Sequence, residues 1–407
     1  MRISILLHPF LGLNKNFNNM KKVSLLCMLA AALVFSSCIR DEEANVECDI
    51  TGVDPEWIQS LPEGFLLGEP NIQKNSVTFL IPETSDVTAL APRFLISEGS
   101  TLWLTNGLGE HKAFDPEFKR DFTTPKIYTV LSEDGDFWKD YVVSFYVPQP
   151  FESCDFEEFG YDNDQQKNYH KILQKNADGT LMENTIWDSG NAGFKLTGMA
   201  SSPLEYPTSI VQGAGIGGSN CLRLVTRDSG EFGMKTKPKM PIAAGNAFIG
   251  TFTVSQAMIA PRNATKFGLQ IVKKEPVTLK GWYKYTAGPQ MTDKNKNPIE
   301  ERDMADIYAV LFEANVGGKF VPLNGDDILS STRIVALARI DNPGEPQVWT
   351  YFEEPFKPMN GKSFDPEKAK NNEYAFALVM SSSRKGAYFE GAIGSTLYVD
   401  DIAVVWK

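Results

Sequence analysis

The sequence predicts an all-β protein: a small immunoglobulin-like sandwich followed by a larger jelly-roll sandwich. Three observations predict it. Short runs of alternating apolar and polar residues recur along most of the chain, and strand side chains alternate with period two. Turn residues punctuate those runs at short intervals. Helical periodicity is nearly missing, with one candidate helix at Asp365-Pro-Glu-Lys-Ala-Lys-Asn371. There Asp365 is placed as N-cap and Pro366 in the first turn.

Composition narrows the function classes. The chain has 407 residues, of which 42% are hydrophobic and 22% charged, which fits a soluble globular protein of two or three domains. A net charge of −11 argues against a nucleic-acid partner, which requires basic patches. Three histidines argue against a multi-histidine metal centre.

The N-terminus reads as a targeting segment. Lys21 and Lys22 precede an apolar run from Val23 to Phe35. That run is shorter than the roughly 20 residues a membrane span takes, and suits a signal-peptide core. It ends in Phe35-Ser36-Ser37-Cys38, which resembles the lipobox of bacterial lipoproteins, with Phe35 where Leu is usual. The resemblance implies that Cys38 is lipidated and begins the mature chain. Met20-Lys21-Lys22 then reads as the true start, so residues 1–37 are a signal peptide and 1–19 a mis-called extension.

Residues 38–48 form the tether. Asp41-Glu42-Glu43, close behind the cysteine, resemble the surface-export signal of Bacteroidetes lipoproteins. A protein of the outer membrane is expected, surface-exposed and held by its lipid anchor only, without spanning the bilayer. Removing residues 1–37 takes away four basic residues and no acid, so the charge falls from −11 to −15. Cys48, Cys154 and Cys221 remain, an odd and sparse set that allows one pair but no disulfide framework.

Residues 49–147 are expected to form the immunoglobulin-like sandwich. Runs at Asn75–Ile81, Arg93–Ile96, Lys126–Leu131 and Tyr141–Val147 read as strands. Asp134-Gly135 predicts a hairpin turn, so Glu133 and Asp134 serve the turn. Tyr128-Thr-Val-Leu-Ser-Glu-Asp-Gly135 followed by Tyr141-Val-Val resembles a hairpin of the N-terminal modules of Bacteroidetes surface glycan proteins. Pro148-Gln149-Pro150 is a stiff linker that marks the boundary.

Residues 151–407 are expected to form the jelly roll. Cys221–Arg227, Asp306–Glu313, Arg333–Ile340 and Thr396–Val405 alternate as strands. Ordered blocks run through this part: Trp187-Asp-Ser-Gly-Asn191, Tyr206-Pro-Thr208, Ala243-Ala-Gly-Asn246, Leu279-Lys-Gly-Trp-Tyr-Lys-Tyr285, Ile334-Val-Ala-Leu-Ala-Arg339 and Phe389–Asp401. Together they resemble the putative carbohydrate metabolism domain of Bacteroidetes. The resemblance implies a jelly roll akin to carbohydrate-binding modules and to β-sandwich glycosidases, with a glycan-related role in the cell envelope.

Sugar recognition takes aromatic faces flanked by hydrogen-bonding groups. In Leu279–Tyr285 the parity of Leu279 and Tyr283 turns Trp282 and Lys284 to the open face. In Asp306–Glu313 the apolar Ile307, Ala309 and Leu311 turn Asp306 and Tyr308 outward. These four are expected to line one concave surface. Trp187 reads equally as pocket rim or core, Asn191 as an amide presented by a loop, and Arg339 as a fork for a hydroxyl pair or a carboxylate. Asp400 and Asp401, with Glu157 as partner, leave room for a structural calcium. No other cofactor is expected.

Other patterns carry less. Gly213-Ala-Gly215-Ile-Gly217-Gly218 matches a dinucleotide fingerprint, but a strand follows it where a helix is required. His111 and His170 lack motif neighbours and read as surface or rim residues. Glycan capture at the cell surface, alongside other glycan-utilisation proteins, is the leading expectation. A glycoside hydrolase and a structural or adhesive envelope protein are the alternatives.

Overall fold

The computed structural model describes residues 45–407 except 67–69, 74, 83, 106–110, 148–150, 163–166, 176–180, 184–185 and 269. Cys38, the signal peptide, most of the tether and the expected boundary at residues 148–150 lie outside the described residues.

The N-terminal part forms a six-stranded sheet in the order Asn71–Gln73, Ser76–Leu80, Trp138–Tyr146, Lys126–Leu131, Thr101–Thr105, His111–Ala113. Its second and third strands run parallel and the other pairs antiparallel. A two-stranded sheet, Ile50–Val53 with Phe94–Ile96, accompanies it. Val77, Phe79, Tyr128, Val130, Tyr141 and Val143 are buried in their common core. At the hairpin Gly135 adopts φ +77°, and its N–H donates to the Ser132 carbonyl at 3.1 Å. Asp134 Oδ1 accepts from the Asp136 N–H at 3.0 Å, so this acid serves the turn.

The C-terminal part is built on two facing sheets. One has nine strands, with Asn246–Phe252, Tyr374–Ser381, Asp306–Glu313 and Ile334–Arg339 adjacent in that order. The other has six, with Thr208–Val211, Cys221–Val225, Thr396–Trp406, Pro276–Thr286 and Thr350–Pro355 in order. Leu279, Tyr283 and Tyr285 from one sheet meet Ile307, Ala309 and Leu311 from the other in the main core. Both parities assigned from the sequence hold.

The sheets also explain what alternation left out. Asp306–Glu313 is buried on both faces, because a third layer covers the outer side of the nine-stranded sheet. There Tyr308, Val310 and Phe312 pack with Phe248, Phe267 and Leu323 in a second core. The expected helix is present as Pro366–Lys370, with Asp365 Oδ1 accepting from the Glu367 N–H at 2.8 Å. The glycine-rich segment closes as a short 3-10 turn, Ile216–Gly218, with no helix behind it to receive a phosphate. Cys48, Cys154 and Cys221 are free thiols.

Candidate functional site

Two surfaces of the C-terminal part concentrate functional chemistry, and they lie on opposite outer faces. Pro276–Thr286 and Asp306–Glu313 belong to different sheets with the main core between them. Trp282 and Lys284 therefore face away from Asp306 and Tyr308. The single concave surface expected for these four is not formed. Strand parity determined which side chains point outward, but not which sheet each strand joins.

The first surface is the outer face of the six-stranded sheet. Antiparallel register sets Tyr398 between Arg223 and Lys284, and Trp282 opposite Tyr351. The Lys284 ammonium lies 4.5 Å from the Trp349 ring centroid and 4.9 Å from that of Tyr398. The Trp282 and Tyr351 rings meet edge to face at 5.3 Å. Cation–π contacts of this kind tie Lys284 to both flanking rings. Trp282, Trp349 and Tyr398 are half-buried and Tyr351 is 45% exposed. The row from Arg223 to Trp349 crosses three strand spacings, roughly 14 Å at about 4.8 Å each. The Trp282 and Trp349 indole N–H groups have no hydrogen-bond partner among the described residues.

The second surface is a cavity of about 230 Å³ on the outer face of the nine-stranded sheet. Phe248, Phe252, Phe267 and Val379 form its floor and one wall, and Met240, Met258 and Phe389 close it from the connecting segments. At one end Arg339 forks onto Asp306, with Nε to Oδ1 and Nη2 to Oδ2 both at 2.8 Å. Arg384 Nε stands 3.5 Å from the same carboxylate, while its Nη groups donate to the Ile340 and Asp341 carbonyls. Burial pushes the Asp306 carboxyl upward, and the two arginines pull against it. Arg339 thus takes a carboxylate, one of its two expected partners, and that carboxylate is internal.

Beside the cavity, Asp303 accepts from the Ser383 and Ser395 hydroxyls at 2.6 and 2.7 Å and from the Ala392 N–H at 2.7 Å. This cage fixes the segment that carries Arg384 and Phe389. Nothing in local sequence marked it, because three of its four donors lie 80 to 92 positions away, the fourth being the adjacent Met304 N–H.

Other expected site residues have structural work. Trp187 is 4% exposed and packs on Phe151 at 5.6 Å, so it belongs to the main core and not to a rim. Asn191 is fully buried; it donates to the Thr208 carbonyl at 2.8 Å and accepts from the Thr208 N–H at 3.0 Å. Its amide clamps a strand and presents nothing outward. Asp400 accepts from the Ile216 N–H and the Ser219 hydroxyl, and Glu157 from the Asn220 N–H. Asp401 is exposed. Among the described residues no three His, Cys, Asp or Glu side chains gather at one point. His170 is half-buried; its Nδ1 accepts from the Ile210 N–H at 3.0 Å, and burial with nearby Arg223 lowers its pKa to about 4.

Residues 155–405 match the family described as Putative carbohydrate metabolism domain, and residues 66–145 match the domain described as SGBP, N-terminal. A crystal structure of a putative glycoside hydrolase from Bacteroides thetaiotaomicron is 37% identical, covering 90% of this chain and 99% of that one, with a TM-score of 0.76. A putative glycoside hydrolase from Bacteroides vulgatus is 36% identical, covering 64% of this chain and 100% of that one, with a TM-score of 0.56. Among curated proteins none matches.

Proposed function

The chain belongs to the Putative carbohydrate metabolism domain family, and from that premise we propose that it binds glycans on the outer face of its C-terminal six-stranded sheet. The observation that carries this reading is the row of Trp282, Tyr351, Trp349 and Tyr398 around Lys284. Half-exposed ring faces suit the C–H faces of sugars. Free indole N–H groups and the nearby Lys284 and Arg223 supply donors to hydroxyls. The match of residues 66–145 to the SGBP N-terminal domain supports the same reading.

Cleavage in the cavity is disfavoured. Glycoside hydrolysis takes two carboxyl groups roughly 5–10 Å apart across a cleft. Asp306 is the one acid lining the cavity among the described residues, and Arg339 holds both of its oxygens. The finer reading places the protein on the outer membrane by a lipid on Cys38, surface-exposed, capturing glycan beside other glycan-utilisation proteins. An array of plant, host and microbial glycans tests the chain from Asp49 to Lys407, scored for retention and for released sugar. Retention that Trp282→Ala removes supports the proposal; release without retention overturns it. Palmitate labelling tests the anchor, which is refuted if the Cys38→Ala protein stays with membranes.

A further inference from the structure

We infer that the cavity on the outer face of the nine-stranded sheet binds one uncharged aromatic ring bearing a hydroxyl or carbonyl oxygen. This site goes beyond glycan binding at the Trp282 face and does not rest on it.

Size comes first. An apolar cavity of roughly 150 Å³ accommodates benzene. The 230 Å³ here leaves room for such a ring and a small substituent. The walls favour an aromatic guest over an alkyl one. Phe248 and Phe267 meet edge to face at 5.2 Å, and Phe252, Met240 and Met258 also line the cavity. Aromatic rings and methionine side chains, both present in this lining, make favourable contacts with a further aromatic ring.

The polar lining selects against both sugars and ions. A bare sugar presents hydroxyls all round and needs many free partners. Here most of the lining is already engaged within the protein. Asp306 is held by Arg339, the two Arg384 Nη groups by backbone carbonyls while its Nε faces Asp306 at 3.5 Å without a hydrogen bond, and Arg262 by Asp326 at 2.9 Å. Asn246 accepts from the Gly190 N–H and donates to the Ala244 carbonyl. A charged guest would lose its hydration without gaining a free counter-ion. Three hydroxyls remain, of which that of Thr265 is on a half-buried residue and two are on buried ones. Tyr308 and Ser229 are 5% and 4% exposed, line the cavity, and have no side-chain hydrogen bond among the described residues. Neither oxygen is among the fully enclosed unpaired atoms of the described residues, so each hydroxyl is open to the cavity and can donate to a guest oxygen. Apolar walls with one or two convergent polar groups are the usual build of a small-molecule site.

The ring can arrive as a free phenolic compound or as an aryl group carried on a sugar, and two probes separate these sources. Methyl 4-hydroxybenzoate represents the first and phenyl β-glucopyranoside the second. Glucose and 4-hydroxybenzoate anion are the controls. Saturation-transfer NMR and calorimetry on the whole chain should show saturable binding of at least one aryl probe, none of glucose, and at least tenfold weaker binding of the anion.

Tyr308→Phe keeps the ring and removes the hydroxyl; it should weaken methyl 4-hydroxybenzoate about five- to tenfold. Val379→Phe fills the floor and should abolish binding. Leu196→Trp, at the exposed rim, repeats the blockade without touching the core. Glycan retention at the Trp282 face, read in the same samples, should not change with any of the three. The inference is overturned if neither aryl probe binds, if the anion binds more tightly than its ester, or if both blocking variants bind like wild type. An unchanged Tyr308→Phe affinity overturns the role given to that hydroxyl.

Discussion

Arg339 grips Asp306 through two parallel hydrogen bonds of 2.8 Å, on a carboxylate that is 4% exposed. The pair stands at the end of the apolar cavity, where a lone charge would be expensive. Each partner makes the other tolerable, and Arg384 completes the neutralisation of the carboxylate. The pair also cross-links adjacent strands of the nine-stranded sheet, since Tyr308 and Arg339 stand in register.

Asp306→Ala should therefore cost about 3 kcal/mol, the lower end for breaking a buried pair, because the Arg339 side chain keeps some contact with solvent. Combining Asp306→Leu with Arg339→Met should recover most of that loss. Urea unfolding midpoints of the three proteins check both statements. A single variant as stable as wild type refutes the account.

The aromatic row makes a different demand. Trp282→Ala and Trp349→Ala should each lower glycan affinity at least tenfold, about 1.4 kcal/mol, with little change in melting temperature. Both side chains are half-exposed, so their loss leaves no buried cavity. Lys284→Ala should act in the same direction by releasing the Trp349 and Tyr398 rings. Affinity electrophoresis against a glycan that wild type retains reads the effect; equal mobility of wild type and both Trp variants excludes the face.

His170 should give the fold a pH dependence. Its pKa is lowered to about 4 in the native state, against an ordinary value near 6.5. Below pH 6.5 the unfolded chain takes up a proton that the native chain refuses. The contribution to stability is therefore complete above about pH 6.5 and lost progressively as pH falls toward 4. His170→Asn keeps an acceptor for the Ile210 N–H and does not titrate. Unfolding free energies between pH 6.5 and 5 should show a shallower slope in that variant, and an identical slope would refute the assignment.

Two of the three free thiols, Cys154 and Cys221, should be inert in the native protein. Burial pushes the Cys221 and Cys154 thiols up to about 12, and thiolate is the reactive form. Ellman's reagent at pH 8 should label neither at a measurable rate until denaturant is added. Fast labelling of Cys221 in native buffer would contradict its full burial.

Much of this was legible in the chain. Strand positions followed from alternation: Lys126–Leu131 and Asp306–Glu313 begin and end where the pattern does. The Asp365 cap and the Gly135 turn followed from local backbone chemistry. The outward parity of Trp282 and Lys284 was legible too. Trp187 and Asn191 were not: their block reads as a loop, whereas Trp187 lies in the short strand Trp187–Asp188 and Asn191 opens the helix Asn191–Lys195, both packed inward.

The sequence by itself determined the all-β class, the membership of each strand face and the family resemblance. These depend on neighbours within a few residues, where Cβ direction alternates by covalent geometry. Only the tertiary structure decided that Trp282 and Asp306 stand on opposite sides of the molecule, that Tyr308 lines a cavity under a third layer, and that Asp303 is caged by hydroxyls far along the chain. Strand pairing is made by backbone groups that every residue carries alike, so it leaves no local mark on the side chains that it brings together.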